Sequence, residues 1–331
     1  LYSRFARHYR AWLNWRAPAA VRRIAADLGS FRPQAVLTVA HGFSWITAAE
    51  FARRFRLPLH LICHDDLPKL DDLPKWAGRR RERFFARAYR SAASRLCVSP
   101  YMEAAYRIRY GVAGDVLFPS RSADCPEHDS PPSRLLAEQT GLTGVYAGSI
   151  NSPGYADSIR LLAECLAESG GKLVVFSPLD SQDLKRAGLD LPNIQNGGLV
   201  PFDELIRRCR EIADFLYVPM SFEPQDRSNM ELSFPSKLTD YTAAGLPLLV
   251  RGPAYCSAVR WISENPGVAE CVRTEERSDL TAAIARLAES GRRRFDMAGK
   301  ALSLGRDHFS FSSVHQIFNT AIRKSGEVAC V

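Results

Sequence analysis

Ten short apolar stretches recur along the 331 residues, and helical spacing fills most of the intervals between them. They lie at 35–40, 59–63, 95–99, 115–118, 144–150, 173–177, 194–198, 215–219, 246–250 and 267–272. Most are continuously apolar rather than alternating, the pattern of strands covered on both faces in a parallel sheet. A parallel sheet needs a crossover between successive strands, so strand–helix alternation predicts a doubly wound α/β architecture. The length suits two such units, each with its own core. Between 115–118 and 144–150 lies the one marked break in composition, 121–142, which contains Cys125-Pro-Glu-His-Asp-Ser-Pro-Pro-Ser133. It reads as a linker, giving a first domain over 1–142 and a second over 143–331. Residues 2–28, rich in Arg, Ala and aromatics, read as one or two helices broken near Ala17-Pro18, with no strand before them. A final helix over 312–324 carries a stripe of Val314, Ile317, Phe318, Ala321 and Ile322.

The most informative local stretch is 233–250, Ser-Phe-Pro-Ser-Lys-Leu-Thr-Asp-Tyr-Thr-Ala-Ala-Gly-Leu-Pro-Leu-Leu-Val. Pro235 suits the first helical position, with Ser233 or the backbone before Pro235 as the cap. Gly245 and Pro247 mark the stop, and 246–250 continues as a buried strand. Free N–H groups and the positive end of the helix dipole make the start of such a helix favourable to an anion. Ser236 and Lys237 lie there, and Asp240 follows one turn later on the same face. That offset suits phosphate at the helix tip and a sugar diol at the carboxylate. It equally suits an exposed Lys237–Asp240 ion pair worth about 0.3–0.5 kcal/mol. These residues alone leave both readings open.

Other candidates stand at strand ends, where open α/β sheets place their ligands. His64-Asp65 ends the strand at 59–63 and His41 the strand at 35–40; a strand-end histidine is more often structural than catalytic. Gly148-Ser149 follows a strand and precedes a helix, so its backbone is placed to approach a phosphate. The repeat Asp65-Asp-Leu-Pro-Lys69, Asp71-Asp-Leu-Pro-Lys75 supplies four carboxylates, but its prolines and spacing read as a solvated loop rather than a metal site.

The eight cysteines are scattered singly, without a Cys-x-x-Cys pair or zinc spacing, so free thiols in a reducing compartment are expected. No apolar run reaches 18 residues and no signal peptide is evident. The formal charge is +8, bunched at Arg79-Arg-Arg-Glu-Arg83 and Arg292-Arg-Arg294. Such runs are usually solvated helix faces; they also suit peripheral contact with anionic headgroups. No nucleic-acid motif accompanies them, so nucleic acid is not an expected partner.

The stretch at 233–250 resembles the donor-nucleotide helix of GT-B-fold glycosyltransferases of the retaining "group 1" kind, where Pro-Ser-Lys-Leu-x-(Glu/Asp)-Tyr-x-Ala-x-Gly-x-Pro recurs. The resemblance is specific over 214–253 and looser over most of the chain from Val36. It implies two Rossmann-like domains and transfer of a sugar, with retention, from a nucleotide diphosphate sugar to a glycan or lipid-linked acceptor. It implies a cytoplasmic site of action, peripheral to the membrane if the Arg clusters bind lipid, and neither cofactor nor metal. Asp240 takes the ribose, Ser236, Lys237, Gly148 and Ser149 lie near the diphosphate, and the closing helix returns to the first domain. His64 with Asp65 takes the place of the family's strand-end histidine facing the donor sugar, with His41 second. The family's Arg and Lys after the glycine loop are replaced here by Ser149 and Asn151, with Arg160 further on, which shifts weight to Lys237. The family's Glu-x7-Glu spacing is met literally by Glu223 and Glu231, but one residue out of register with Asp240; Glu231 stays a candidate for a sugar hydroxyl. First domains of this kind open with strand units and a Gly-rich loop, so this one reads as incomplete at its N-terminus. The alternative is a non-catalytic nucleotide-sugar or glycan-binding descendant of such enzymes.

Overall fold

The computed structural model describes residues 5–66, 73–150 and 152–327, with side chains to Arg323. The Leu67–Asp72 part of the acidic repeat, read as a solvated loop, and Asn151 lie outside them. Among the described residues two parallel sheets form, of four and six strands. The chain is therefore α/β with doubly wound parallel sheets, as the alternation of apolar runs requires.

Contacts divide the chain into two units. The first comprises 1–118, 231–234 and 314–331; the second comprises 119–230 and 235–313. The proline-rich stretch read as a linker packs within the second unit. Arg121 donates to the Thr239 carbonyl and to the Thr242 hydroxyl, Leu135 is fully buried, and Arg134 binds Asp214 at 3.2 Å. A loop that gives its charged and apolar groups such partners is part of a core. The last helix, Phe311–Glu327, belongs from Val314 onward to the first unit.

In the first unit, helices α1 (Ala6–Arg16) and α2 (Val21–Asp27) flank a 3-10 turn at Ala17–Ala20, where the sequence placed its break. Strand β1 (Val36–Val39), helix α3 (Ser44–Phe55), β2 (Leu59–Cys63), α4 (Lys75–Ser91), β3 (Ser94–Cys97), α5 (Pro100–Tyr110) and β4 (Asp115–Val116) follow. The sheet order is β1-β2-β3-β4. Its core is aromatic: Trp45 meets Phe85 edge-on at 5.4 Å, and Phe85, Tyr89, Tyr106 and Tyr110 form a continuous cluster. The strand expected over 115–118 ends at Val116, because β4 pairs β3 only through Asp115 and Val116.

In the second unit the order is β10-β9-β8-β5-β6-β7, so the strand sequence reverses beside β5. The elements are β5 (Thr143–Ala147), α6 (Pro153–Ala167), β6 (Lys172–Phe176), α7 (Ser181–Arg186), β7 (Ile194–Asn196) and α8 (Phe202–Ile212). After them come β8 (Phe215–Pro219), α9 (Arg227–Leu232), α10 (Ser236–Ala244), β9 (Leu248–Arg251), α11 (Ser257–Glu264), β10 (Ala269–Val272), α12 (Arg277–Ala288) and α13 (Gly291–Phe309). The short helices α7 and α9 had no periodic signal, since six residues give less than two turns of pattern.

The capping expectation at α10 fails in detail. Pro235 occupies the cap position and Ser236 opens the helix, while the Ser233 hydroxyl donates to Asp65 at 3.1 Å. The strand expected over 246–250 begins instead at Leu248, after Gly245 at φ +61 turns the chain against Leu302.

The Arg runs are not uniform basic faces. Arg79, Arg80 and Arg83 are exposed, but Arg81 is buried. Arg292 pairs with Asp296 and Arg293 with the buried Glu270, while Arg294, with no exposed surface, donates to the Leu287 and Ala137 carbonyls. Arg292, Arg293 and Arg294 point about 100° apart in succession, so that run cannot present one charged face, whereas the exposed Arg79, Arg80 and Arg83 share one side of their helix. No helix among the described residues is long and apolar enough to cross a membrane.

Candidate functional site

At the carboxyl ends of β5, β6 and β7 a pocket of about 400 Å³ opens, walled on one side by the first turns of α10. Helix α10 is latched there by Tyr241, whose hydroxyl accepts from the Ala147 amide at 2.6 Å and donates to the Ala147 carbonyl at 3.1 Å. Arg121 holds the opposite flank through Thr239 and Thr242. The helix start is thereby fixed against the β5 loop. Its cap residue, Pro235, offers no side-chain acceptor, so the first N–H groups have no side-chain cap.

Gly148, Ser149, Ser236, Lys237 and Asp240 all line this pocket. Gly148 has φ +140, and a Cβ built there would lie 2.6 Å from Lys237 Nζ. Only glycine lets the ammonium rest against the loop backbone. Lys237 Nζ also sits 5.3 Å from the Tyr146 ring centroid, and the Tyr146 hydroxyl donates to the Ser149 carbonyl at 2.7 Å. Burial pushes Lys237 below the usual lysine range, with Asp240 opposing. Burial pushes the Asp240 carboxyl up to about 6, against the pull of Arg121 and Lys237. Lys237 and Asp240 are thus not an exposed surface pair. Desolvation outweighs every partner each has in the protein.

The sequence reading named the anionic end of this pocket but not its supports. Tyr241 stood in the quoted pattern without a role, and Tyr146 lay in a strand. Arg121, in the supposed linker, gave no local signal. Glu231 lies in α9, is grouped with the first unit and does not line the pocket.

The first unit holds a different constellation. Parallel register pairs Val39 with Ile62, so the chain leaves β1 and β2 side by side, and His41 and His64 stack with ring centroids 5.4 Å apart. His64 Nε2 lies 3.1 Å from Asp65 Oδ2, and Ser233 donates to Asp65 Oδ1 at 3.1 Å. The bond to Asp65 raises the His64 pKa against the effect of burial. Burial would raise Asp65, but His64, Ser233 and His41 together carry it below the usual carboxylate range. Donor atoms of His41, His64 and Asp65 lie within 4.8 Å of one another, so among the described residues these are the ones placed to hold a cation. Asp66 is another matter: fully buried, it takes Arg109 through both oxygens at 2.7 and 3.2 Å and accepts from Tyr106 at 3.1 Å. The strand end is anchored by Asp66, leaving His64 and Asp65 at the surface.

Comparison with known proteins agrees with this fold. Residues 2–117 match the model of Glycosyltransferase Family 4. No curated protein sequence matches the chain. Among solved structures, Anabaena HepE in complex with UDP and glucose is 14% identical, with a TM-score of 0.64 over 92% of this chain and 81% of its own. Sucrose-phosphate synthase from Thermosynechococcus elongatus is 13% identical, TM-score 0.68, covering 96% of this chain and 79% of its own. A UDP-forming α,α-trehalose-phosphate synthase from Burkholderia xenovorans is 12% identical, TM-score 0.63, covering 100% and 81%. These likenesses establish the GT-B fold, and residues 2–117 are similar to a Glycosyltransferase Family 4 domain.

Proposed function

We propose that this chain is a glycosyltransferase that takes a sugar from a nucleotide diphosphate sugar, binding the nucleotide in the pocket at the start of α10, and passes it with retention to a glycan or lipid-linked acceptor. The observation that carries the reading is the desolvated Lys237 and Asp240 side by side at an uncapped helix N-terminus. In the roles we assign, Asp240 accepts from the ribose diol, and the apolar wall of Pro178, Leu199 and Val200 takes the base. UDP is the first nucleotide to test, because the Anabaena neighbour binds it. Lys237, the α10 N–H groups and the Gly148–Ser149 backbone take the diphosphate. As the bond from the anomeric carbon to the phosphate oxygen breaks, negative charge grows on the departing diphosphate. A fixed ammonium and aligned peptide dipoles stabilise that charge without reorganising. To the first unit we assign His64 and Asp65 as the catalytic pair, with no covalent protein nucleophile.

Calorimetric titration with UDP and with uridine tests the pocket. Lys237→Ala should weaken UDP about a hundredfold and uridine little, since the ammonium addresses phosphate. Asp240→Asn should weaken both, roughly ten- to hundredfold, since the ribose is common to them and a charge-assisted bond is worth about 1.5–3 kcal/mol. Unchanged affinities in both variants would end the donor-site reading.

A further inference from the structure

A second cavity, of about 370 Å³, opens within the second unit on the other side of β5, between α6 and the carboxyl ends of β8 and β9. At its base lies Arg251, the last residue of β9, 6% exposed. Its two Nη atoms donate to the Ser158 hydroxyl at 3.2 Å and to the Glu275 carbonyl at 2.9 Å. Its Nε is buried without a hydrogen-bond partner. Among the described residues no carboxylate forms an ion pair with it; the Phe222 ring lies 5.1 Å from the guanidinium carbon, and the Tyr217 hydroxyl is also beside it. The acidic residues around the mouth are placed otherwise. Asp157 is paired with Arg160 at 2.6 Å and Glu164 with Arg277 at 2.7 Å, while Glu223 and Glu275 are exposed.

A buried guanidinium without a counter-charge is costly, and such a group ordinarily meets a carboxylate or a phosphate, which its planar fork fits with two bonds. The strand C-termini are where an open α/β sheet presents ligands, and β8 and β9 end here. Ser158 is held in turn by the Tyr217 hydroxyl at 2.8 Å, so the floor of the cavity is a fixed polar network. The rim supplies Ser221 and the carboxylates of Glu223 and Glu275, which are acceptors for hydroxyl groups.

We infer that this cavity is a second ligand site, in which Arg251 takes the anionic group of a small polyhydroxylated molecule, a phosphorylated or carboxylated monosaccharide, whose hydroxyls face the acidic rim. None of its lining residues lines the nucleotide pocket, so this inference does not rest on the donor assignment.

The test is calorimetric titration of the full chain with glucose 6-phosphate, glucuronate, inorganic phosphate and glucose, each with and without saturating UDP. Glucose 6-phosphate or glucuronate should bind, and whichever is tighter identifies the anion. Inorganic phosphate should bind at least tenfold more weakly than the tighter of the two, and glucose not measurably. Arg251→Met should abolish binding of the anionic sugar. Because that variant also breaks the Ser158 network, Gly154→Trp serves as the second. Gly154 lines the cavity and a Cβ built there meets nothing within 4 Å, so a large side chain can be introduced at the mouth without a clash at its Cβ. It should weaken the anionic sugar at least tenfold with UDP affinity unchanged. Failure of all four probes to bind a protein that is folded by circular dichroism, binding of phosphate as tight as that of the sugars, or binding undiminished in both variants would each overturn the proposal.

Discussion

The His64–Asp65 pair and the Lys237–Asp240 pair are both an acid beside a base at the carboxyl edge of a parallel sheet, yet their electrostatics run in opposite directions. His64 and Asp65 stabilise each other: the histidine is raised, the aspartate lowered, and both keep contact with solvent. Lys237 and Asp240 are shifted toward their neutral forms by burial, and their mutual attraction does not offset it. The first pair is satisfied as it stands. The second is held in a state that a ligand carrying both an anion and hydrogen-bond donors would relieve. On the roles we propose, the contrast separates a pair that acts on a substrate from a pair that binds one.

The largest expected effect belongs to the first pair. His64→Ala should lower turnover of a radiolabelled nucleotide sugar, offered with a glycan or lipid mixture, on the order of a hundredfold. The melting temperature and uridine affinity should stay almost unchanged, because the His64 side chain is 37% exposed and Asp66, not His64, anchors the strand end. A protein that melts many degrees lower while turning over normally would assign His64 to the fold.

The second pair makes a prediction about pH with the sign set by burial. An aspartate raised to about 6 takes up its proton in the folded protein at a pH where the unfolded chain has already released it. Its stabilising contribution is therefore present below about pH 4 and lost as pH rises to about 6, on the order of 2–3 kcal/mol. Urea denaturation of wild type and Asp240→Asn, each without ligand, should show the variant more stable at pH 7 and the difference gone at pH 4. Uridine, which has no group titrating in this range, should bind best above about pH 6 and weaken about tenfold per unit below it, and Asp240→Asn should abolish that slope. A wild type whose uridine affinity is flat from pH 4 to 8 would break the contrast between the pairs.

A smaller effect is expected at the loop. Gly148→Ala places a methyl where Lys237 lies and forces a φ of +140 on a residue with a Cβ. The ammonium must move, so UDP should weaken about tenfold with uridine nearly unaffected, and stability should fall by about 1–3 kcal/mol. Equal losses for UDP and uridine would place the loop at the nucleoside instead.

Much of this molecule was legible in its residue order because the informative features were local. Continuous apolar runs are the pattern of strands covered on both faces, so the parallel sheets followed, although β1 leaves Leu37 and Val39 exposed. Of the strands observed, β2 and β8 match the expected bounds and the others differ by a few residues at their ends. Gly245 and the residues before it fixed a helix whose start faces a pocket, and Ser236, Lys237 and Asp240 line that pocket together, as their spacing suggested. What the sequence left open was whether Lys237 and Asp240 were a solvated pair or a buried site, because burial depends on residues distant in the chain. Tyr241 reaching Ala147, Arg121 reaching Thr239 and Thr242, and Gly148 yielding space to Lys237 decided that question. The same holds for Asp65 and Asp66, identical neighbours separated only by the packing of Arg109 and Tyr106 on one and of His64 and Ser233 on the other. Periodicity and terminal signals travel within a few residues, so the sequence carries them by itself. Desolvation and counter-charge are sums over everything nearby in space, and only the tertiary structure sets them.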